Sequence, residues 1–530
     1  MKSIKKLGGN VMFRKLVVYI SLLTFAIVWT INVNESYAST STTYTGVVKE
    51  TTSHNYVFET QGTGVLNISS SKNTSSITHL VTSSDNSKLF GSGDSLPAGK
   101  YNLLITSTSK NSTEYSITLS GLNFTSTPKS LPSVQLTSPD ADYTRLPKFT
   151  PTVRVAGNSD ALTNYIVNPW LKQSYFRSSG NFSQVVQLGM GSNIVSLNSE
   201  RETGNSIVNF KEVVSPGLKR IEGLNRYAVS ANISKELSDW DLLSDTIVIA
   251  RGDEYADGIT GAPLAADLNA PLLLTTPGAL PNEIKNEIKR LGAKNAVILG
   301  GTVGVSPNVE NELKQLGVNS IKRIAGENRY SLAVNIANDL LTPKTSQAIL
   351  VSGENFSDAL AVSSYAASVG QPILLTRSAG IPTEVTNFLK TNPQIKSVVI
   401  VGGTASVSQT IESELNKLVD TYRITGRDRY EISTNVADFF GASSNSVVVT
   451  TGLNFSDGLS GGVLAALRNH HLVLTREDYL PNTTINGLYK LYFHRGEREG
   501  VEGLDSVYVL GGLNTISAEI ETELKNKFIK

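Results

Sequence analysis

The sequence predicts a multidomain chain in which two N-terminal all-β, sandwich-like domains precede three α/β repeats. From residue 39 to about residue 211, short apolar runs alternate with polar residues at period two, which is typical of strands. After residue 216, four sequence blocks recur three times in the same order. Within each copy, continuous apolar runs alternate with helical segments, which favours parallel sheets covered by helices on both faces.

The first 38 residues are typical of a secretory signal peptide. A basic leader precedes an apolar run from Leu16 to Trp29, and the small-residue triplet Ser36-Tyr37-Ala38 follows. The run is shorter than the ~20 residues needed to cross a bilayer, which disfavours a membrane anchor. We therefore expect export, cleavage after Ala38, and no membrane attachment of the mature chain.

Composition excludes two further classes of function. The 530 residues contain no cysteine, so neither disulfides nor thiol chemistry is available. The chain has 47 basic and 46 acidic residues, and removal of the leader, with its five basic residues and one acidic residue, leaves a net charge of −3. Nucleic-acid-binding proteins usually carry a strongly basic surface. We therefore predict no nucleic-acid partner.

The β region is predicted to form one domain over residues 39–131 and another over 132–215. In the first, the segment from Leu96 to Leu119 resembles the β-sandwich accessory domains of secreted bacterial peptidases. In the second, the runs around Phe182 and Asn193 resemble bacterial immunoglobulin-like spacer domains. The sequence gives neither domain a recognisable site, and their partner stays unknown.

The repeats are defined by four blocks. The first is Arg-Ile-x-Gly-x-x-Arg-Tyr, which begins at Arg220, Arg323 and Arg423, at offsets of 103 and 100 residues. The second contains an aspartate, the third is an apolar block that usually begins with proline, and the fourth is a double glycine. These blocks set the predicted repeats at residues 216–321, 322–421 and 422–530.

The second repeat shows the secondary structure most clearly. Its pattern predicts helices over 330–341, 357–369 and 382–389, another helix opening at Ser408, and strands over 348–351, 373–375 and 398–401. Each repeat is therefore a Rossmann-like α/β unit of roughly 100 residues, a normal domain size.

The four ordered blocks resemble the type-2 cell-wall-binding repeats of clostridia and bacilli, including the count of three. The resemblance covers about Leu218 to Lys530. It implies a pseudo-threefold cluster of the three repeats that binds an anionic wall polymer, such as a teichoic-acid-like glycan. Such a protein is secreted and attached noncovalently to the peptidoglycan layer at the cell surface.

Two sets of repeated charged residues are candidates for polymer binding or for contacts between repeats. The arginines are Arg226, Arg329 and Arg429, and the aspartates are Asp257, Asp358 and Asp457. The arginines either grip phosphate or carboxylate groups or form ion pairs with the aspartates of neighbouring repeats, and we favour the ion pairs. The aspartates either bind metal or cap helices, and we favour caps.

The apolar block and the double glycine complete the candidate set. The family resemblance associates polymer binding with the block that contains Pro271 and Leu273 in repeat one, and Pro372 and Leu374 in repeat two. His471 replaces the proline in repeat three. Arg377 and Arg476 follow the block at the carboxyl ends of their strands, where open α/β sheets bind ligands. The double glycines lack a phosphate-loop pattern and predict tight turns; they are Gly300, Gly301, Gly402, Gly403, Gly511 and Gly512.

We predict no catalytic residue, no metal and no cofactor. Only five histidines occur, and no zinc-ligand spacing or hydrolase motif is present. Two hypotheses remain. The first is a non-catalytic wall protein whose β domains act as spacer, adhesion or modulator modules. The second is a wall-remodelling or carbohydrate-processing enzyme with an unrecognised site in the β domains, using carboxylates such as Asp85, Asp94, Asp140 or Asp142.

Overall fold

The computed structural model describes residues 39–73, 75–125, 130–139, 141–146, 148–168, 173–239, 242–340, 345–440, 444–493 and 503–529. These residues form two compact units, one within residues 39–146 and 150–214, and the other within 215–530 together with residues 148 and 149. The predicted signal peptide and Asp140 lie outside the described residues, as does most of the longer loop of repeat three. Within the described residues, no helix is long and apolar enough to span a bilayer.

The described part of the first unit consists of strands. They are β1 (Ser39–Val48), β2 (Thr52–Thr60), β3 (Gly64–Val65), β4 (Asn67–Ser70), β5 (Ile77–Ser83), β6 (Leu89–Phe90), β7 (Ser95–Leu96), β8 (Gly99–Ser107), β9 (Thr113–Phe124), β10 (Val134–Ser138), β11 (Tyr143–Arg145), β12 (Thr152–Asn168), β13 (Gln173–Gln187), β14 (Gly191–Glu200) and β15 (Ser206–Ser215).

The second unit alternates strands and helices. Its elements are β16 (Gly217–Ile221), α1 (Arg226–Asp239), β17 (Thr246–Arg251), α2 (Ala256–Asp267), β18 (Leu272–Thr275), α3 (Asn282–Leu291), β19 (Asn295–Leu299), α4 (Pro307–Gln315), β20 (Ser320–Ile324), α5 (Arg329–Leu340), β21 (Gln347–Ser352), α6 (Phe356–Val369), β22 (Ile373–Thr376), α7 (Thr383–Thr391), β23 (Ser397–Val401), α8 (Gln409–Leu415), β24 (Asp420–Ile424), α9 (Arg429–Phe440), β25 (Ser446–Thr451), α10 (Ser456–Leu467), β26 (His471–Thr475), α11 (Asn482–Phe493), β27 (Ser506–Leu510) and α12 (Ala518–Phe528).

The first unit has two hydrophobic cores, one on each side of the predicted domain boundary at residues 131/132. One core lies between residues 44 and 124, and the other lies between residues 155 and 213. The strands of the two regions are nevertheless joined, because β15 pairs antiparallel with β2 through Ser206–Asn209 and Thr52–Asn55. The boundary therefore separates two cores but not two sheets, since thirteen strands belong to one hydrogen-bonded network.

A buried histidine makes the stability of the first core depend on pH. His54 shares a 2.8 Å hydrogen bond between its Nδ1 and the Tyr115 hydroxyl, which also bonds to Tyr56. Burial lowers the pKa of His54 from 6.5 to about 4. The folded state therefore keeps His54 neutral at pH values where the unfolded chain already binds a proton.

We expect His54 to destabilise the fold on acidification. The contribution of His54 to the free energy of unfolding is fully present above pH 6.5 and falls by about 3 kcal/mol towards pH 4, because the unfolded chain gains a proton that the folded state excludes. Urea unfolding of residues 39–530 at several pH values should show that the stability difference between wild type and His54→Gln narrows by that amount. His79→Gln, at a half-buried histidine whose pKa is lowered, is the control with a smaller expected change. A difference for His54→Gln that is independent of pH would contradict the prediction.

The second unit contains three four-stranded parallel sheets, and the elements predicted for repeat two are confirmed. Each sheet takes one of its two outer strands from the next repeat in the ring. The strand orders are β18-β17-β19-β20, β22-β21-β23-β24 and β16-β27-β25-β26. The predicted boundaries at 321/322 and 421/422 fall within β20 and β24. The strand that opens repeat one, β16, completes the sheet of repeat three and closes the ring.

The helices α2, α6 and α10 pack against one another at the centre of this unit. Small residues allow the close approach: the Leu360 side chain lies 2.8 Å from the place that a Cβ atom on Gly458 would occupy. Leu459 packs in the same way against Gly258. Equivalent helices thus meet in cyclic order, which is the arrangement of a pseudo-threefold cluster.

Candidate functional site

Three aromatic side chains meet where the central helices begin. Tyr255, Phe356 and Phe455 occupy the same position in the three repeats, immediately before or at the first residue of α2, α6 and α10. Their ring centroids are 6.0, 5.7 and 5.7 Å apart. All three rings are half-buried. We call these residues the axial aromatic triad.

Each repeated arginine crosses to the triad residue of the preceding repeat in the ring. The Arg226 guanidinium lies 5.8 Å from the Phe455 centroid, Arg329 lies 5.2 Å from Tyr255, and Arg429 lies 5.8 Å from Phe356. Each arginine also donates a hydrogen bond to a backbone carbonyl in its own repeat, that of Gly252, Gly353 or Gly452. The three arginines therefore hold adjacent repeats together through cation–π contacts.

One of the three contacts carries an additional ion pair. Arg329 donates through Nη2 to Glu254 Oε2 at 2.7 Å and through Nη1 to the Tyr255 hydroxyl at 2.9 Å. The Tyr255 hydroxyl in turn donates to the Gly353 carbonyl at 2.7 Å. The direct contact of the arginines across repeats is thus with an aromatic ring, and at Arg329 also with Glu254, rather than with the repeated aspartate.

The repeated aspartates lie beneath the double glycines and do not cap the helices. In α6 the N-cap is Asn355, whose side chain accepts from the Ser357 amide at 3.2 Å, while Asp358 is the third helical residue. Asp257 and Asp457 likewise lie inside α2 and α10. The predicted cap role is therefore wrong. The described residues contain no group of three or more His, Asp or Glu that suits a metal.

Burial makes these aspartates weaker acids than usual. It raises the pKa of Asp257 and Asp457 to about 6, and it raises the pKa of Asp358 as well. The positive charge of the arginine that crosses from the neighbouring repeat opposes this shift at each aspartate. Each buried carboxylate therefore interacts electrostatically with the crossing arginine.

The first glycine of each pair has a positive φ, as the tight-turn interpretation requires: 108° at Gly300, 127° at Gly402 and 97° at Gly511. At Gly402 a Cβ atom would lie 2.6 Å from Asp358 Oδ2, so a larger residue would displace the carboxylate. Gly301, Gly403 and Gly512 follow each turn with φ outside the left-handed region.

Sequence reasoning missed the role of the first arginine of each repeat. Arg220, Arg323 and Arg423 each donate to the carbonyl of the first glycine of the preceding repeat's pair at 2.8 Å. Each also forms an ion pair with a glutamate of the last helix in that repeat. Their strict recurrence in the Arg-Ile block was the available signal.

The proline-led block is buried. Leu273 and Leu374 are both fully inside their sheets, and Pro271 and Pro372 precede the outer strands β18 and β22. In repeat one the outer strand meets the neighbouring repeat, because Ser460 Oγ donates to the Leu272 carbonyl at 2.8 Å. The side chains of Leu273 and Leu374 are consequently inaccessible to a polymer in this structure.

The two arginines after this block differ in their surroundings. Arg377 is exposed, and its guanidinium lies 4.6 Å from the Tyr330 ring centroid. Arg476 is half-buried, with its Nε 3.8 Å from Asp478 and its guanidinium 5.3 Å from the Tyr479 ring. Both arginines follow the carboxyl ends of strands. Arg476 lies within ion-pair distance of Asp478, whereas Arg377 interacts with Glu384 electrostatically without forming an ion pair among the described residues.

The sequence profile described as cell wall binding domain 2 (CWB2) matches residues 220–310, 323–412 and 423–521, more than half of the chain. The chain is 37% identical to the N-acetylmuramoyl-L-alanine amidase LytC of Bacillus subtilis over 312 residues, 59% of each chain. It is 32% identical to the amidase enhancer of the same organism over 58% of this chain and 40% of that one. The chain thus spans about half the length of these relatives.

A solved structure shares the fold. Cwp6 from Clostridium difficile superposes with a TM-score of 0.57 at 19% identity, over 76% of this chain and 68% of that one. An N-terminal β region followed by repeated α/β units with parallel sheets is the architecture described above.

Proposed function

The chain belongs to the cell wall binding domain 2 family, and we propose on this premise that residues 216–530 hold it noncovalently on the wall through an anionic polymer. Members of the family are associated with the cell surface and wall, which is the location of this protein. The finer assignment, attachment through a teichoic-acid-like glycan in the peptidoglycan layer, is supported by the chemistry of the arginines.

The observation that carries the proposal is the ring of three arginines around the axial aromatic triad. Guanidinium groups present planar, bidentate donors to phosphate and carboxylate. The ring lies at the carboxyl ends of the sheets, where open α/β folds bind their ligands. Because the three repeats form one body, a polymer can meet several cationic groups on one surface.

Sedimentation with protein-free walls of Bacillus subtilis tests the proposal. A reporter fused to residues 216–530 is expected to sediment with these walls. It should remain in solution after acid extraction has removed the anionic polymers. The same reporter fused to residues 39–215 is the control and is expected not to sediment. Unchanged binding of the 216–530 fusion to the stripped peptidoglycan would overturn the polymer assignment.

The exposed arginine of repeat two provides a site-directed prediction. We expect Arg377→Ala to weaken wall binding by up to about fivefold, the effect of losing one exposed charge contact, with an unchanged melting temperature. Arg476→Ala is the matched control, and its effect should be smaller because Asp478 already lies beside Arg476. Equal losses of wall binding in both variants would show that a neighbouring carboxylate does not determine how much each arginine contributes to wall binding.

For the β region we propose a spacer, adhesion or modulator role without catalysis. The match to the amidase covers 59% of this chain, the same share that the three repeats occupy. Two of the candidate carboxylates are held in local structure. Asp142 forms ion pairs with Lys49 and Lys211, and Asp85 accepts hydrogen bonds from Ser83 and Ser87.

The alternative function is that of an enzyme. Glu200, a half-buried residue of β14 whose pKa is raised by burial, is the carboxyl group that such an enzyme would use as a general acid. If the β region hydrolyses wall glycans or peptides, purified chain 39–530 should release soluble fragments from walls and Glu200→Gln should abolish that release. No release by the wild-type chain would dismiss this alternative.

A further inference from the structure

The three contacts between arginine and aromatic residue are not electrically equivalent. Glu254 lies beside Arg329 in an ion pair. The residues at the equivalent position of repeats two and three are Asn355 and Asn454, which carry no charge. Within the described residues, neither Arg429 nor Arg226 forms an ion pair, although each has the same cation–π and carbonyl contacts as Arg329.

We infer that the wall polymer binds through its phosphate or carboxylate groups at Arg226 and Arg429, and that Glu254 occupies the equivalent anion position at Arg329. This inference rests on the proposed function and adds to it which of the three contacts engage the ligand. At Arg329 the Glu254 carboxylate thereby takes the place that a phosphate or carboxylate group of the polymer would occupy.

The surroundings of the arginines suit an exchangeable anion. The Arg329–Glu254 pair is about one-third exposed on both side chains, so it is in contact with solvent. The helices α2, α6 and α10 begin at the triad, and the positive ends of their dipoles favour negative charge there. The repeated aspartates offset part of this potential, but they recur in all three repeats, whereas among the described residues only Arg329 of the three crossing arginines forms an ion pair.

The asparagines have a local role that must be preserved in a test. Asn355 caps α6, and the Asn454 side chain accepts from the Ser456 amide at 3.0 Å. These hydrogen bonds do not explain why both positions carry a neutral residue, because an aspartate would cap the helices equally well. A neutral residue at these positions leaves the guanidinium of the neighbouring repeat available to a ligand.

The test places or removes one charge at equivalent positions in the chain 39–530. Glu254→Gln is expected to increase affinity for protein-free Bacillus subtilis walls about threefold to fivefold, because it frees a third arginine. Asn454→Glu is expected to lower affinity by a similar factor, because it recreates the Glu254 arrangement beside Arg226. Both effects should diminish with added salt.

Two controls separate local from general effects. Asp245→Asn also removes one negative charge from repeat one, but exposed Asp245 precedes β17, at the opposite end of that strand from the axial aromatic triad; its binding should match wild type. Asn454→Gln alters the cap without adding charge and should also bind as wild type. Melting temperatures of all variants are measured alongside.

The outcomes distinguish this inference from the proposed function. If wild type binds walls, but Glu254→Gln and Asp245→Asn bind equally to each other, the axial arginines are not the anion sites and the inference fails while wall attachment stands. If wild type does not bind polymer-bearing walls, the proposed function itself fails. A gain with Glu254→Gln together with a loss with Asn454→Glu supports the inference.

Discussion

A fragment that begins at residue 222 instead of residue 216 is expected to lose the cooperative fold of the α/β unit and nearly all wall binding. The deletion removes β16, which pairs in parallel with β27 along its whole length. It also removes the buried side chain of Ile221 and the Arg220–Glu521 ion pair, in which Arg220 is only 10% exposed.

The expected loss is about 5 kcal/mol or more. Several backbone hydrogen bonds contribute about 1 kcal/mol each, and burial of the Ile221 side chain contributes about 2 kcal/mol. This sum is comparable with the whole stability of a typical domain. Thermal unfolding and wall sedimentation of fragments 216–530 and 222–530 measure it.

Addition of the missing strand provides the control. A synthetic peptide of residues 215–223 should restore part of the fold and binding of fragment 222–530, because the groove beside β27 is left open. Equal melting temperatures for the two fragments without peptide would show that β16 does not close the ring.

Removal of the third repeat is expected to reduce wall binding at least about tenfold, well beyond the loss of one independent repeat in three, and to cause self-association. Fragment 216–425 retains the sheets of repeats one and two, because it includes β24. It loses Phe455 from the axial aromatic triad and α10 from the central helices, and it leaves β16 without its partner β27. Unpaired strands and uncovered apolar helix faces promote aggregation.

Sedimentation velocity and wall sedimentation of fragment 216–425 test this expectation. A matched fragment, 222–425, lacks the unpaired strand and should associate less while binding walls no better. Monomeric 216–425 that retains two-thirds of the wall binding would show that the repeats act as independent domains.

The sequence was sufficient for the elements of each repeat but not for their grouping into sheets. The apolar run at Val398–Val401 and the serine at Ser408 predict a strand and a helix start, and both are present. In a tandem array, however, the strand that contains the Arg-Ile block could pair with the sheet of the preceding repeat or with that of its own repeat, and the sequence pattern would be the same in both cases. Only the observed pairing of β20 with β19 shows that it completes the preceding sheet.

The sequence was sufficient to identify which residues belong to the candidate site but not which of them contact one another. Recurrence identified Arg329 and Asp358, yet the favoured cap for Asp358 was wrong because Asn355 takes that place and the aspartate is buried under Gly402. Glu254 differs visibly from Asn355 and Asn454 in the repeated block. Its importance depends on reaching an arginine 75 residues away in sequence, which local patterns do not encode.

The β region was harder for a related reason. Alternation predicted β8 and β9, but β1 is formed by a Ser- and Thr-rich segment with few apolar residues. Its own core side chains are Tyr44 and Val48, and its partner β9, far along the chain, adds Tyr115, Ile117 and Leu119 to the same core. Such a strand is stabilised by its neighbour, and its own sequence carries a weak signal.

Scanning calorimetry of residues 216–530 tests most directly whether the three repeats are one closed body. Cyclic packing of α2, α6 and α10 and closure by β16 predict a single transition whose calorimetric enthalpy equals its van't Hoff enthalpy. Two or three separate transitions, or a van't Hoff enthalpy near one-third of the calorimetric value, would contradict the closed ring.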